Sequence, residues 1–489
     1  MRWRTSLDLE PHAGSAADGP PDSTRARAAR AAVVTALGLV LLALALWSLI
    51  TLGAIPGAQA LSSATAATQP IIDATHLSPL LTISDDHLST LRYDIECTEP
   101  ASQADATCDI EGTTYVRSGT TGAFQTLPLH LDTTATVGRY AAILPAGIAT
   151  SATGFTYYTV IRDKQSGATV TLPAGGATAP QRSIRLASPI SVDLGTHHFG
   201  DAHQPTARVA TAHWGDGPAD VGIEEGPQAE PVGASSFDVD AEGNVTVLDE
   251  AHRRLLRFAK NAPTAPSAIP VGVRGTIGDL AIRPDGGSYV LESVAEPGQT
   301  PLVKSFTSTG QPAGTWHVAE ATVGTLRLGP NGPQALEYPA SQWMPIATGS
   351  GEVPALTQLA QGRAGRVVAG GRELVAQREG NEARVALINS AGVVRSWRIR
   401  STTPLAEIQL AEPVGDRVVA VIRTYTDADA AFDVLVLGSA GLDQHFAVDP
   451  ADWAETAPLS RFRLVGSSLF HLGSTPTDLF VDRFDLEVH

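Results

Sequence analysis

The stretch FDVDAEGNVTVLD, residues 237–249, decides the fold, because apolar and polar residues alternate on both sides of a Glu242-Gly243 turn. The pattern returns as LAIRPDGGSYVL at residues 280–291 and as LRLGPNGPQAL at residues 326–336. Alternation with period two is typical of β-strands, and a glycine after a short polar residue supplies the positive φ of a tight turn. The chain is therefore predicted to repeat an antiparallel hairpin.

The spacing of this unit predicts a ring of sheets. Looser copies occupy residues 366–377, 408–422 and 462–472, so that the six units start near residues 237, 280, 326, 366, 408 and 462. One blade of a β-propeller takes about 40–50 residues. We therefore predict a six-bladed β-propeller over residues 206–489. Residues 478–486 and the strand-like residues 207–214 are expected to share one blade, which would close the ring and protect its edges.

The first unit also carries a family pattern. It continues as LDEAHRRLLRF over residues 248–258, and either Arg253 or Arg254 is expected to pair with the acids around Asp249. The whole stretch resembles a blade of NHL-type six-bladed β-propeller proteins that are extracellular and membrane-anchored. That resemblance implies a binding role for the propeller, with ligand contacts on the loops of one face.

Residues 76–190 predict a second, smaller β domain. LRYDIEC at residues 91–97 and GFTYYTVIRD at residues 154–163 alternate with period two, and turn signals separate them from further short strands. This spacing predicts a small β-sandwich. RYAAILP at residues 139–145, followed by the Phe-x-Tyr-Tyr strand, resembles immunoglobulin-like or fibronectin-like modules of bacteria. Modules of this kind space or present other domains.

The N-terminal region predicts a membrane anchor. Residues 31–55 are strongly apolar, and Arg25, Arg27 and Arg30 precede them, whereas the next basic residue is Arg92. About 20 apolar residues span a bilayer, and the arginines favour a cytoplasmic N-terminus. The prediction is a disordered cytoplasmic tail (residues 1–30), a single transmembrane helix (31–55), a linker (56–75) and an extracytoplasmic remainder in the cell membrane, in which a second linker spans residues 191–205. A cleaved signal peptide ending at Ala60 is the alternative.

Charge and cysteine content narrow the functional classes. The 489 residues carry a formal charge of −17, which argues against nucleic-acid binding, since that requires a basic surface. The only two cysteines, Cys97 and Cys108, are close in sequence. In an oxidising compartment they are expected to form one structural disulfide.

Three clusters of polar residues have metal-ligating types but lack the surroundings of a metal site. Asp238, Asp240, Glu242 and Asp249 follow the spacing of an EF-hand loop, but strand residues flank them where helices are required. The other two clusters are predicted to be a solvated linker and a solvated hairpin tip. They are His197, His198, His203 and His213 in the first case, and Asp427, Asp429 and Asp433 in the second.

The remaining candidates lie on predicted inner strands and on exposed aromatic positions. They are Asp238, Asp279, Arg327 and Glu407 on the inner strands, and Trp316, Trp343 and Trp453 as possible ligand anchors. The sequence predicts no catalytic, cofactor-binding or metal-binding residue. We expect a membrane-anchored extracytoplasmic protein that binds a protein, peptide or glycan. The alternatives are a metal-dependent propeller hydrolase, lactonase or lyase, and a structural component of a cell-envelope assembly.

Overall fold

A computed structural model describes residues 71–487 of the chain, all within the unit formed by residues 68–489. The ranges outside the description between these limits are 78–79, 84–89, 99–108, 133–138, 174, 227–229, 273–275, 295–300, 319–322, 338–341, 347–364 and 457–459.

The first domain is a two-sheet β-sandwich. Its strands are β1 (Ile71–His76), β2 (Leu81–Ile83), β3 (Thr90–Thr98), β4 (Ile110–Ser118), β5 (Gln125–Pro128), β6 (His130–Leu131), β7 (Arg139–Ile143), β8 (Phe155–Asp163), β9 (Thr169–Leu172) and β10 (Gln181–Leu186), with one short helix, α1 (Ala146–Ala149). One sheet has the order β1-β3-β7-β6, and the other has β2-β10-β8-β4-β5 with β9 also on β8. β2 is parallel to β10.

The sandwich core follows from the alternation that predicted its strands. In β3, Leu91, Tyr93 and Ile95 are buried, while the intervening Arg92 is exposed. They pack with Phe155 and other apolar residues of the second sheet in one cluster. The predicted β-sandwich is therefore present, whereas its immunoglobulin-like or fibronectin-like type stays a prediction.

Six further sheets form the second domain. Blade 1 contains β13 (Ser236–Val239), β14 (Val245–Asp249), β15 (Arg254–Phe258) and β16 (Ser267–Pro270). Blade 2 contains β17 (Thr276–Ile282), β18 (Ser288–Val294), β19 (Leu302–Phe306) and β20 (Pro312–His317). Blade 3 contains β21 (Val323–Gly329), β22 (Gly332–Glu337) and β23 (Gln342–Pro345). Blade 4 contains β11 (Ile190–Asp193), β24 (Arg366–Val368), β25 (Arg372–Glu379), β26 (Glu382–Asn389) and β27 (Gly392–Arg400). Blade 5 contains β28 (Leu405–Val414), β29 (Arg417–Tyr425), β30 (Ala430–Leu437) and β31 (Leu442–Val448). Blade 6 contains β12 (Ala207–His213), β32 (Phe462–Val465), β33 (Ser468–Ser474) and β34 (Asp478–Asp485).

These six sheets form a closed ring. The inner strands contact one another in the sequence β13, β17, β21, then β24 with its hairpin partner β25, then β28 and β32, and β32 contacts β13 again. Each predicted unit start lies in or beside one of these inner strands. β12 pairs antiparallel with β34, so the strand predicted near residues 207–214 completes the C-terminal blade as predicted. The β-propeller is thus shown by the topology of the described residues.

Glycines at the hairpin turns have the backbone conformation that the sequence pattern requires. Gly243, Gly286 and Gly332 have φ angles of 88°, 78° and 118°, which side chains with a Cβ rarely adopt. They join the first two strands of blades 1, 2 and 3. The Asp-Gly and Asn-Gly repeats therefore mark real turns.

Blade 4 holds the sandwich against the propeller. β11, which begins one residue before the predicted linker, adds in parallel to β27 as an outer strand. β2 lies on the same blade, where the backbone amides of Leu80 and Leu81 donate to Oε1 of Gln377 at 2.6 and 2.9 Å. Nη1 of Arg384 donates to the carbonyl oxygen of Leu81 at 2.6 Å. The junction therefore combines backbone-directed hydrogen bonds with a small apolar cluster.

The membrane predictions are corrected by the structure. The helix predicted over residues 31–55 lies outside the described residues, and in the described part no helix is long and apolar enough to cross a membrane. α1 has four residues and rises about 6 Å, against a hydrocarbon core of about 30 Å. The predicted all-β class is confirmed, but the predictions of a transmembrane helix and of a single-pass cell-membrane localisation are wrong.

The predicted disulfide is only half within the described residues. Cys97 lies in β3 opposite Ile72 of β1 and is not a free thiol. Cys108 lies outside the described residues, so the pairing of the two cysteines stays a prediction.

Candidate binding site in the propeller channel

A buried carboxylate, Asp279, joins the inner strands of four blades. Its Oδ2 accepts from the amide of Leu326 at 2.8 Å and from Nη1 of Arg327 at 2.6 Å, both on blade 3. Its Oδ1 accepts from Oγ of Ser236 on blade 1 at 2.5 Å and from Nη2 of Arg463 on blade 6 at 2.6 Å. Because Asp279 is fully buried, these bonds form where the low dielectric strengthens them.

The surroundings of this cluster shift the pKa values of its two carboxylates in opposite directions. Burial raises the pKa of Asp279, but the guanidinium groups of Arg463 and Arg327 outweigh it and bring the pKa below its ordinary value. Burial also raises the pKa of Asp238, and there Arg463, at 3.5 Å, offsets it only in part. Asp238, Asp279 and Arg327, predicted separately from the sequence, are thus brought together.

Next to this cluster lies a cavity of about 650 Å³. It is lined by inner strands of blades 3, 4 and 5 and by the end of β1 in the sandwich. Polar and aromatic side chains on its wall are His76, Arg327, Trp343, Arg366, Gln377, Arg378, Glu379, Glu407, Gln409, Glu412 and Tyr425. This combination of amide, ionic and aromatic groups in a concave site is typical of ligand binding.

Two ionic side chains of the wall are already paired. Arg366 of β24 forms an ion pair with Glu412 of β28, bridging blades 4 and 5. The guanidinium of Arg366 also lies 5.7 Å from the ring centroid of Trp343 on blade 3. These contacts fix three blades around the cavity and orient the half-buried indole.

The side-chain carbonyl oxygen of Gln409, Oε1, is an unsatisfied hydrogen-bond acceptor. Its Nε2 donates to Oε2 of Glu407 at 2.8 Å. Its Oε1 has no hydrogen-bond partner among the described residues, although Gln409 is only 7% exposed. A buried polar atom left unpaired costs about 1–3 kcal/mol. Oε1 therefore fits a ligand that brings an N–H or O–H group into the cavity.

His76 forms the sandwich side of the cavity as a neutral ring. Burial lowers its pKa to about 3, and burial raises the pKa of Tyr157 well above its ordinary value. The Tyr157 hydroxyl lies 2.5 Å from Nε2 of His76. At neutral pH this wall adds no charge, so the charges of the cavity come from the propeller.

The EF-hand-like segment is a hairpin, as predicted. Asp240 caps its turn by accepting from Asn244, and it also accepts from Arg257 at 2.8 Å. Asp249 accepts from Arg254 at 2.8 Å, which settles the expected pairing in favour of that arginine. Among the described residues no group of three or more His, Cys, Asp or Glu side chains could hold a metal ion.

The histidine and aspartate clusters are dispersed, with one exception. His197 and His445 approach Oδ1 of Asp433 at 3.0 and 2.8 Å. Asp433 is buried in β30, so its prediction as part of a solvated hairpin tip is wrong. The side chain of His197 is 6% exposed, so the prediction of a solvated linker is wrong for this histidine. Asp427 and Asp429 are exposed at that tip, as expected.

The three candidate tryptophans have different surroundings. Trp316 is 5% exposed within the core of blades 2 and 3. Trp453 is half-buried, and its ring centroid lies 6.0 Å from that of Trp214. Trp343 alone of the three lines the channel cavity.

The sequence reasoning missed Arg463, Arg366, Gln377 and Gln409. One signal could have found the first: Arg463 follows a buried Phe462 at the start of its inner strand, as Arg327 follows a buried Leu326. Nothing in the local sequence marks Gln409, because its role depends on the cavity around it.

Comparisons with known proteins add similarity at the level of the fold. No family model and no curated protein matches the sequence. Among solved structures, the chain is similar to hydrazine synthase of Kuenenia stuttgartiensis, with 12% identity, 54% of this chain and 90% of that chain covered, and a TM-score of 0.33. It is also similar to virginiamycin B lyase of Staphylococcus aureus (12% identity, 51% and 95% covered, TM-score 0.32). A third is the PQQ-bound aldose sugar dehydrogenase of Streptomyces coelicolor (11% identity, 57% and 97% covered, TM-score 0.31). Virginiamycin B lyase and the sugar dehydrogenase are propeller-like proteins, and at these TM-scores none of the three similarities carries an argument about the activity of this chain.

Proposed function

We propose that the chain is a binding protein that takes an extended peptide segment into the channel cavity between blades 3, 4 and 5. The observation that carries this proposal is Oε1 of Gln409, a buried acceptor without a donor among the described residues, on the wall of a 650 Å³ cavity. A ligand that donates a hydrogen bond there removes an unsatisfied group, which favours the bound state.

The chain itself supplies the reason to expect a peptide. On the same wall, Gln377 uses its side-chain oxygen to accept the backbone amides of Leu80 and Leu81, which belong to an extended segment of the sandwich. Gln409 offers the same acceptor chemistry on the neighbouring blade. A backbone N–H of an extended ligand fits it in the same way.

Side-chain recognition would come from the rest of the wall. Trp343 and the 43% exposed Tyr425 offer aromatic surfaces, and such residues are enriched among those that dominate binding energy. Glu407 and Arg378 are exposed charges of opposite sign, suited to paired charges on a peptide. The similarity of residues 237–258 to NHL-type blades supports the same binding role.

Binding is favoured over catalysis because two of the central carboxylates, Asp279 and Glu412, are paired with arginines. Asp279 is shared between two arginines, and Glu412 is paired with Arg366. A carboxylate held ionised by guanidinium groups is a weak base and does not act readily as a general acid. These ion pairs suit a rigid rim around a ligand.

A displayed library of random peptides tests the proposal on the full-length chain. Peptides selected on the wild type are measured against Gln409→Leu and Trp343→Ala. We expect each variant to weaken binding by about tenfold or more, since tenfold corresponds to about 1.4 kcal/mol. Gln311→Leu, at an exposed turn away from the cavity, is the matched control and should bind as the wild type does.

Two outcomes would contradict the proposal. In the first, no peptide is enriched above a panning on empty support. In the second, enriched peptides bind Gln409→Leu and Trp343→Ala as tightly as the wild type, which would place their site elsewhere. Matching thermal unfolding midpoints of the variants and the wild type show that a loss of binding is not a loss of folding.

A further inference from the structure

A second cleft, separate from the channel, lies where the sandwich meets the outer part of blade 4. It has a volume of about 640 Å³. Its walls come from the loops after β4 and before β8, from β10 with the following residues, and from the end of β26 with the turn into β27. Its charged residues are Arg182, Arg185 and Arg395. Among the described residues that line it, none is Asp or Glu.

The positive charge of this cleft contrasts with the negative net charge of the whole chain. The protein has 51 acidic and 34 basic residues and a formal charge of −17. Three guanidinium groups without a carboxylate between them repel one another in a concave site. An anion placed among them would relieve that repulsion, and field lines focused by the low-dielectric walls would raise its local concentration.

The three arginines keep donors for such an anion. A guanidinium has five N–H donors in a fixed fork. Arg185 is described with one bond, from Nη1 to the carbonyl of Ala149 at 3.4 Å. Arg395 donates through Nη1 to the backbone oxygen of Asp416 at 2.7 Å, and the exposed carboxylate of Asp416 is 3.9 Å away.

Arg182 provides the strongest evidence that the cleft can bind an anion. Its Nε is buried and has no hydrogen-bond partner among the described residues. Exposed hydroxyls of Ser188 and Ser390 lie on the same cleft and can donate further hydrogen bonds. Val393 and Val394, 37% and 50% exposed, form an apolar part of the wall.

We propose that this cleft binds a phosphate group, either free or as the monoester of an apolar alcohol. Guanidinium forks match the oxygens of phosphate in bidentate geometry, and three cations balance its near-double negative charge. The two valines would contact the apolar part of a monoester. This site is independent of the peptide site, since none of its arginines lines the channel cavity.

Calorimetric titration of the full-length chain with inorganic phosphate and with octyl phosphate tests the proposal. We expect at least one of the two to bind, and Arg182→Gln and Arg395→Gln each to weaken that binding at least tenfold. Binding should weaken as salt is added, because these interactions are partly exposed and screened. Tighter binding of octyl phosphate would assign the valines to an alkyl chain, and equal binding would assign the site to the phosphate group alone.

The control is Arg162→Gln, which removes the same charge from an exposed arginine of the sandwich outside the cleft. It should change affinity by less than about twofold. Absence of binding of both probes up to about 10 mM would overturn the proposal, since such binding would be weaker than about 3 kcal/mol. An equal loss in Arg162→Gln would overturn it too, because the effect would then follow net charge. If Arg182→Gln does not fold, Arg182→Lys keeps the charge without the fork and should give an intermediate affinity.

Discussion

Asp279 shows how one residue can determine the geometry of a propeller centre. A single carboxylate accepts hydrogen bonds from blades 1, 3 and 6 while its own strand belongs to blade 2. Removing its charge leaves two arginines facing each other in a buried site. Such a site tolerates the loss of one partner poorly, because uncompensated buried charge is costly.

We therefore expect Asp279→Asn to lower the free energy of unfolding by about 3–5 kcal/mol in urea titration at neutral pH. Asp285→Asn, an exposed carboxylate paired with Arg283 in a turn, is the matched control and should cost about 1 kcal/mol or less. Equal losses in the two variants would show that the buried cluster has no special weight. Because the folded pKa of Asp279 lies below 3.8, its ionic contribution is present above that pH and is lost as the pH falls through the folded value.

His471 gives the fold a second, distinct dependence on pH. Burial and the neighbouring charge of Arg461 lower its pKa to about 3 from 6.5. Below pH 6.5, His471 is therefore protonated in the unfolded chain but stays neutral in the folded chain until the pH approaches 3. The free energy of unfolding consequently falls as the pH drops from 6.5 toward 3. The slope is about 1.4 kcal/mol per pH unit for each such histidine.

His471→Phe keeps an aromatic ring against Phe462, whose centroid is 4.6 Å away, and removes the titrating group. We measure the unfolding free energy between pH 6 and 4 by urea titration. Its slope against pH should fall by about 1.4 kcal/mol per pH unit, which corresponds to one proton. Gln311→Phe, at an exposed position without a titrating group, should leave the slope unchanged. An unchanged slope in His471→Phe would refute the assignment of this proton to His471.

At the scale of elements, hydrogen bonds of Gln377 and Arg384 to the backbone hold β2 on blade 4, beside a small apolar cluster. Gln377→Ala removes the acceptor for two amides, those of Leu80 and Leu81. We expect a loss of about 1–3 kcal/mol of unfolding free energy, with faster amide exchange at these two residues. Gln311→Ala at an exposed turn should change neither quantity. Unchanged exchange at Leu80 and Leu81 in Gln377→Ala would show that their protection has another source.

The elements were largely predictable, because their signals are local. Alternation placed β3, β8 and the inner strands, and Gly243 and Gly286 marked turns whose φ is positive. β11 was missed because four residues in an apparent linker become a strand only beside β27. The anchor expected at residues 31–55 was inferred from hydropathy and from the arginines that precede the segment, and the described part of the chain contains no helix of that kind.

The candidate site was predicted only in part, for the same reason. Asp238, Asp279 and Arg327 could be named because they occupy inner strands of recognisable repeats. Their arrangement into one network depends on ring closure, which brings Arg463 of the last blade to within 2.6 Å of Asp279. The role of Gln409 depends on a cavity between blades. The surroundings of Asp433 depend on His445 of the neighbouring strand and on His197, which is 236 residues away in sequence.

At the scale of the whole molecule, the seam between blades 6 and 1 holds the ring closed. One apolar cluster there contains residues of both blades, among them Phe237 of β13 and Leu472 of β33. Leu472→Ala should lower the unfolding free energy by about 2–5 kcal/mol, as expected for a buried leucine. Val394→Ala, half exposed on blade 4, should cost no more than about 0.5 kcal/mol. Equal effects in urea titration would show that the seam does not limit stability.

The proposed function depends most directly on where a ligand contacts the propeller. Hydrogen exchange of the full-length chain, with and without a selected peptide, locates that contact. We expect slower exchange on peptide binding in β24 and β28 and around Trp343, with the outer strands of blades 1 and 6 unchanged. Slower exchange elsewhere, with β24 and β28 unaffected, would contradict the proposal that this protein binds its ligand in the channel.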